Sequence, residues 1–329
     1  MPLRDIASQQ VSEIGLGCMN LSHAYGQPPS EQQATKLLLE AIELGVSHFD
    51  TAALYGFGNN EKLVGKILKP HRQKLFLASK CGMTGVDGKR VIDGRPETIR
   101  KTIEQSLQHL QTDVIDLYYL HRWDKNIPIE DSVGELSRLV QAGKIKHIGL
   151  SEVSATTLQK AHSIHPIAAL QTEYSLWTRN PEIAVLKACQ DQGTAFVAFS
   201  PLGRGFLSGE VKDAISLIDG DIRKGMPRFQ VEHAKKNYSL LGVLRGISNE
   251  LGCNLAQLSL AWLLHQGKHI LAIPGTTQIS HLQENVRASQ IKLTAEQLQE
   301  LNEAFDPQKI SGSRYPAMTQ QEIDTEEFC

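Results

Sequence analysis

Gly45-Val46-Ser47-His48-Phe49-Asp50 is the stretch that decides the fold. A glycine stops the preceding helix, an apolar run follows at once, and the run ends on a carboxylate. Glycine after a helix accepts the left-handed turn that most residues resist. The device recurs: Gly143 precedes residues 144–151, Gly193 precedes 194–200, and Gly267 precedes 269–274. Similar runs lie at 12–19, 75–80, 115–121 and 168–174. Short apolar strands alternating with helices, buried on both faces, require a parallel sheet with crossover helices. Eight such runs favour one closed (β/α)8 barrel, an α/β fold, over residues 1–329, with a short N-terminal hairpin and long rim loops. No Gly-x-Gly-x-x-Gly follows the first strand, which argues against an open dinucleotide-binding sheet.

The helices between carry their own punctuation. Ser30 with Gln33 and Thr294 with Gln297 have capping-box spacing. Pro96 opens a helix whose Ile99, Ile103, Leu107 and Leu110 form one apolar stripe. Asp131 is expected to cap the next, Asn180-Pro181 to begin one ending at Gly193, and Asn254 one ending at Gly267. Two stretches break the alternation. The connection from Gly203 to Tyr238 is long enough to suggest a functional loop. The tail from about residue 307 to 329 is expected to drape over the barrel or to move.

Composition excludes several classes. A net charge of −2 without a basic run gives no pull toward nucleic acid or acidic lipid. The opening MPLRDIASQQ lacks a signal-peptide core, and no apolar stretch reaches membrane-spanning length. The five cysteines, odd in number and without short paired spacing, read as reduced thiols of a cytoplasmic protein with no metal site. No apolar helix face is left over, so a monomer is expected.

Strand ends carry the chemistry. Asp50, Lys80 and His121 terminate three consecutive strands, and Tyr55 follows closely on the first. A phenol near pKa ~10 is a poor acid at neutral pH. A neighbouring ammonium, itself aimed by a carboxylate, lowers that pKa, and a neutral histidine orients a carbonyl. Together they protonate a developing alkoxide; the hydride must come from a cofactor. A Schiff-base aldolase using Lys80 as its amine is a competing reading.

The chain resembles the aldo-keto reductases, closest to the microbial and plant branch near the potassium-channel β-subunits. The resemblance rests on Ile14–Met19 (IGLGCM), His48–Gly56 (HFDTAALYG), Ala78-Ser79-Lys80, Asp116–Arg122 (DLYYLHR), Gly143–Ser151 (GKIKHIGLS), Gln171–Trp177 (QTEYSLW), Ser200–Gly205 (SPLGRG) and Ile273–Thr276 (IPGT). It implies a catalytic tetrad of Asp50, Tyr55, Lys80 and His121 and NADPH as cofactor, NADH being possible. It implies Ser151 and Gln171 at the carboxamide, with Glu152 where many members have Asn. Phe199 would stack on the nicotinamide. Ser200, Leu202 and Gly205 would pass beneath the pyrophosphate, and Gly275, Thr276, Thr277, His281, Glu284 and Asn285 would surround the adenosine. The strand-eight loop lacks the usual cation for a 2′-phosphate; Arg204, Arg223 and Arg228 are the candidates to replace it. Glu210 stands where that branch can offer lysine, so smaller discrimination against NADH is expected. The implied partner is a small carbonyl substrate: aldehydes, α-keto compounds, pyridoxal, sugars and larger ketones all stay open, with Met19, Tyr25, Phe57, Trp123 and Trp177 as candidate pocket residues. Cys18 and Cys81 are candidate oxidation sites. A cofactor-binding, redox-sensing regulatory subunit is the alternative function.

Overall fold

The computed structural model describes residues 1–22, 24–86 and 88–328, so Cys329 lies outside the described residues. Eight parallel strands follow one another around the barrel: β1 (Leu16–Gly17), β2 (His48–Asp50), β3 (Phe76–Cys81), β4 (Ile115–Leu120), β5 (Ile145–Ser151), β6 (Ile167–Glu173), β7 (Ala195–Phe199) and β8 (Ile270–Ala272). The ring closes where the Gly15 N–H donates to the Ala272 carbonyl at 2.8 Å and the Ala272 N–H to that of Glu13 at 2.9 Å. β1 is shorter than expected, because Gln9–Ser12 pairs with Leu3–Ile6 in the N-terminal antiparallel hairpin.

Side-chain parity explains why the strands are apolar throughout. Phe76, Ala78, Leu117, Tyr119, Ala169, Ala195 and Val197 point into the barrel, where Ile6 and Val11 of the hairpin join them. The intervening Leu77, Tyr118, Leu170 and Phe196 pack outward against helices. Period-two alternation then carries the inward face from Ala78 to Lys80 and from Tyr119 to His121. Large and small residues interlock: a Cβ on Gly149 would lie 2.3 Å from the Tyr119 ring. The hairpin closes the end where strands begin, with Ser12 N–H on Ser47 Oγ at 2.9 Å. The opposite end remains open for chemistry.

The capping boxes at Ser30/Gln33 and Thr294/Gln297 form as expected. Asp131 does not cap its helix. That helix starts at Ile129 behind Pro128, whose φ of −51° already suits helix entry. Glu130 and Asp131 instead place negative charge in the first turn, favourable to the helix dipole. Asn180-Pro181 begins only a 3-10 turn, and the α-helix Val185–Gln192 starts after a break at Ala184. The long connection folds into 3-10 turns followed by the helix Val231–Tyr238. Among the described residues, no helix is long and apolar enough to cross a membrane.

His48 is sealed inside the barrel, and burial pushes its imidazole down to about 4 from an ordinary 6.5. The unfolded chain therefore binds a proton between those values while the folded chain does not. The associated stability is fully present above about 6.5 and is lost as pH falls toward 4, by roughly 3 kcal/mol. Urea denaturation of wild type and His48→Gln at pH 7 and pH 4.5 should show the wild type losing more stability on acidification. Equal losses would contradict the assignment.

Candidate active site

At the open end, Lys80 is fully buried and its ammonium is surrounded by acceptors. It pairs with Asp50 Oδ1, and donates to the Thr51 carbonyl at 2.8 Å and to Tyr55 Oη at 3.2 Å. The second Asp50 oxygen accepts from Gln171 Nε2 at 2.7 Å. The Tyr55 ring meets His121 edge-on with centroids 5.7 Å apart. Asp50, Tyr55, Lys80 and His121 thus come together in one cluster. Asp50, Tyr55 and His121 line the cavity, while Lys80 stands behind them.

The electrostatics refine one expectation. Burial is the largest influence on Tyr55 and raises its pKa; Lys80 pulls against it and Arg122 acts in the same sense as Lys80. The net displacement is upward, not downward, so the free protein holds a protonated phenol at neutral pH. Burial alone would lower the Lys80 pKa, but Asp50 and Tyr55 together outweigh it and keep the ammonium charged. An amine held as its ammonium by Asp50 and Tyr55 is a poor nucleophile, which argues against the aldolase reading.

The cavity holds about 770 Å³ and runs from Tyr55 and His121 to Glu284 and Asn285. Ser151, Gln171, Phe199, Ser200, Leu202, Arg204, Gly205, Arg223, Gly275, Thr276 and His281 line it between. Thr277 lies exposed outside it. Ser200 and Arg204 both adopt positive φ, turning the backbone sharply beneath the groove. The Gly205 N–H, expected to face a phosphate, donates to the Leu202 carbonyl at 3.0 Å instead. What Gly205 contributes is a positive φ and no side chain: a Cβ there would lie 3.1 Å from Val211 and 3.2 Å from Arg223.

Two of the three candidate cations are paired with carboxylates, and the third is engaged by neutral acceptors. Arg204 binds Glu173 at 2.7 Å and donates to the hydroxyls of Tyr25 and Tyr315. Arg223 binds Asp221 at 2.6 Å. Arg228 lies behind the wall, donating to the Trp177 carbonyl and to Thr178 Oγ1. Glu210 faces His281 at 3.8 Å at the end of the cavity that Glu284 and Asn285 line. The long connection also roofs the groove. Ile222 N–H donates to the Ala24 carbonyl at 3.1 Å, and Arg223 sits 4.9 Å over the Tyr25 ring.

Met19 and Tyr25 line the cavity as expected, whereas Phe57 and Trp123 do not. Trp177 packs instead on Phe206 with ring centroids 3.9 Å apart. Cys18 and Cys81 are fully buried, and burial pushes both thiols far up, which makes them inert rather than oxidation-prone.

Part of the wall comes from the C-terminal tail, which drapes over the rim and contributes Tyr315, Pro316 and Thr319. Arg314 anchors it by pairing with Glu152 and, at 3.2 Å, with Glu173. Glu152, at a φ of 58°, turns away from the cavity toward this arginine and accepts the Glu173 N–H at 2.9 Å. Burial would raise the Glu173 pKa, but Arg204 and Arg314 hold it down at about 2. Farther along, Asp324 accepts from Ser154 Oγ at 2.9 Å and Thr157 Oγ1 at 2.6 Å.

A closed (β/α)8 barrel whose mouth gathers a phenol, an ammonium, a carboxylate and an imidazole defines an oxidoreductase of carbonyl and alcohol groups. Residues 13–306 match the Aldo/keto reductase family, and the chain belongs to it. It is 43% identical over 310 residues to Probable aldo-keto reductase 1 of Glycine max, covering 93% of this chain and 89% of that protein. Aldo-keto reductase yakc [NADP(+)] of Schizosaccharomyces pombe is 41% identical over 323 residues, 96% of this chain and 95% of the relative. Among solved structures, glycerol dehydrogenase AKR11B4 from Gluconobacter oxydans superposes with a TM-score of 0.84 at 26% identity, covering 93% of this chain and 96% of that one.

Proposed function

We propose that this protein reduces aldehydes and ketones to alcohols with NADPH, Tyr55 giving the proton. The observation that supports this most is the Tyr55 hydroxyl at the cavity wall, 3.2 Å from the buried Lys80 nitrogen. As negative charge grows on a substrate oxygen, the ammonium stabilises the phenolate left behind, while His121 fixes the carbonyl's direction. Asp50 keeps Lys80 charged and aimed, and Gln171 aims Asp50.

When bound, the dihydronicotinamide supplies the hydride. The cavity's composition suits that cofactor. The half-buried Phe199 ring offers a flat stacking face, Ser151 and Gln171 offer amide partners, and Ser200 and Leu202 border the pyrophosphate path. Gly275, Thr276, His281, Glu284 and Asn285 would hold the adenosine, and the S. pombe relative's name specifies NADP(+). With Arg204 and Arg223 committed to Glu173 and Asp221, and Glu210 nearby, a 2′-phosphate finds weak cationic support. NADPH should still give the lower KM, but with modest discrimination. Glu210→Lys should widen the NADH/NADPH ratio of KM by about tenfold. A lower KM for NADH in wild type would overturn the preference.

The function is tested by an aldehyde and ketone panel followed at the NADPH absorbance band. Turnover of panel members supports an enzyme. No turnover of any member would favour a regulatory cofactor-binding subunit instead.

A further inference from the structure

Arg122 follows His121 at the end of β4, is only 8% exposed, and lines the cavity shared by Tyr55 and His121. Its Nη1 donates to the His121 carbonyl at 2.6 Å and to Ser151 Oγ at 3.2 Å. Its Nε is buried with no partner among the described residues. Among the described residues no carboxylate pairs with Arg122: Asp50 pairs with Lys80, Glu173 with Arg204 and Arg314, Glu152 with Arg314, and Glu322 with Arg90. A guanidinium stays charged at any physiological pH, and buried charges are ordinarily paired. Clamping the His121 carbonyl would not require a cation, since a neutral donor does that without burying charge. The pyrophosphate path borders residues 200–205 after β7, whereas Arg122 sits beside Ser151 at the other end. The missing counter-ion therefore belongs to the substrate.

We infer that Arg122 recognises a carboxylate on the substrate, and that the preferred substrates are small oxo acids, with the carboxylate on or next to the reacting carbonyl carbon. This rests on the reductase reading above. The overall change is R–CO–COO⁻ + NADPH + H⁺ giving R–CHOH–COO⁻ + NADP⁺: the carbonyl carbon is reduced, the dinucleotide oxidised, and the carboxylate unchanged. Arg122 also acts on Tyr55, pulling its phenol in the acidic direction.

The test compares phenylglyoxylate with its methyl ester, using NADPH and either wild type or Arg122→Gln. Wild type should favour the acid in kcat/KM by about tenfold or more, mainly through KM, as a charge-assisted contact allows. Arg122→Gln should bring the acid/ester ratio to about one. An ester turned over as well as the acid by wild type, or an unchanged ratio in the variant, would overturn the inference while leaving the reductase reading intact. Calorimetry of phenylacetate with the NADP⁺-loaded protein decides the matter without turnover. Binding to wild type, weakened about tenfold in Arg122→Gln, supports the anion site; no binding to wild type refutes it, even if the variant fails to fold.

Discussion

Tyr55→Phe is expected to lower kcat for aldehyde reduction by about 10² to 10⁴-fold, the span of a positioned general acid. The ring can stay where it is, edge-on to His121, and only the hydroxyl 3.2 Å from Lys80 is lost. Lys80 keeps Asp50 and the Thr51 carbonyl, so the local structure should survive. Dissociation constants for NADPH, read by quenching of protein fluorescence, should therefore stay close to those of wild type. A kcat near that of wild type would refute the role given to Tyr55.

Arg314→Ala should be the most damaging substitution for the fold at the rim. It removes a guanidinium whose side chain is 3% exposed and leaves Glu152 at 0% without its cation. Breaking a buried pair in this way costs about 3–5 kcal/mol. For a chain of 329 residues that corresponds to a fall in Tm of roughly 4–7 °C. Tyr315, Pro316 and Thr319 lose their anchor, so KM for the carbonyl substrate should rise more than KM for NADPH. The double variant Glu152→Gln/Arg314→Met should recover part of the lost Tm, because it removes the orphaned charge. A single variant with unchanged Tm would show that the pair contributes nothing to holding the tail.

The barrel and the gathering of Asp50, Tyr55, Lys80 and His121 at its mouth are legible in the sequence because they follow from local rules. A helix-ending glycine, an apolar run and a polar terminus repeat along the chain, and alternation places Lys80 and His121 on the inward face. What escaped depends on contacts between distant segments. Nothing near Arg314 in the sequence indicates that it meets Glu152, 162 residues away, or that Tyr315 walls the cavity. The pairing of Arg204 with Glu173 is equally remote. Asp221, two residues before Arg223, was a visible signal that this arginine had a partner. Arg122, directly after a strand-ending histidine, was also visible, yet only the structure shows it buried and, among the described residues, paired with no carboxylate. The Tyr55 pKa lies above its ordinary value, opposite to the sequence expectation, because burial, which a sequence does not quantify, exceeds the pull of Lys80.

The pH profile of kcat/KM for reduction of a neutral aldehyde distinguishes Tyr55 from His121 as the proton source. With a phenol raised above its ordinary pKa of 10 by burial, activity should hold through neutral pH and fall only in strongly alkaline solution. A fall centred in the ordinary histidine range, near ~6.5, would assign the proton to His121 and contradict the proposed chemistry.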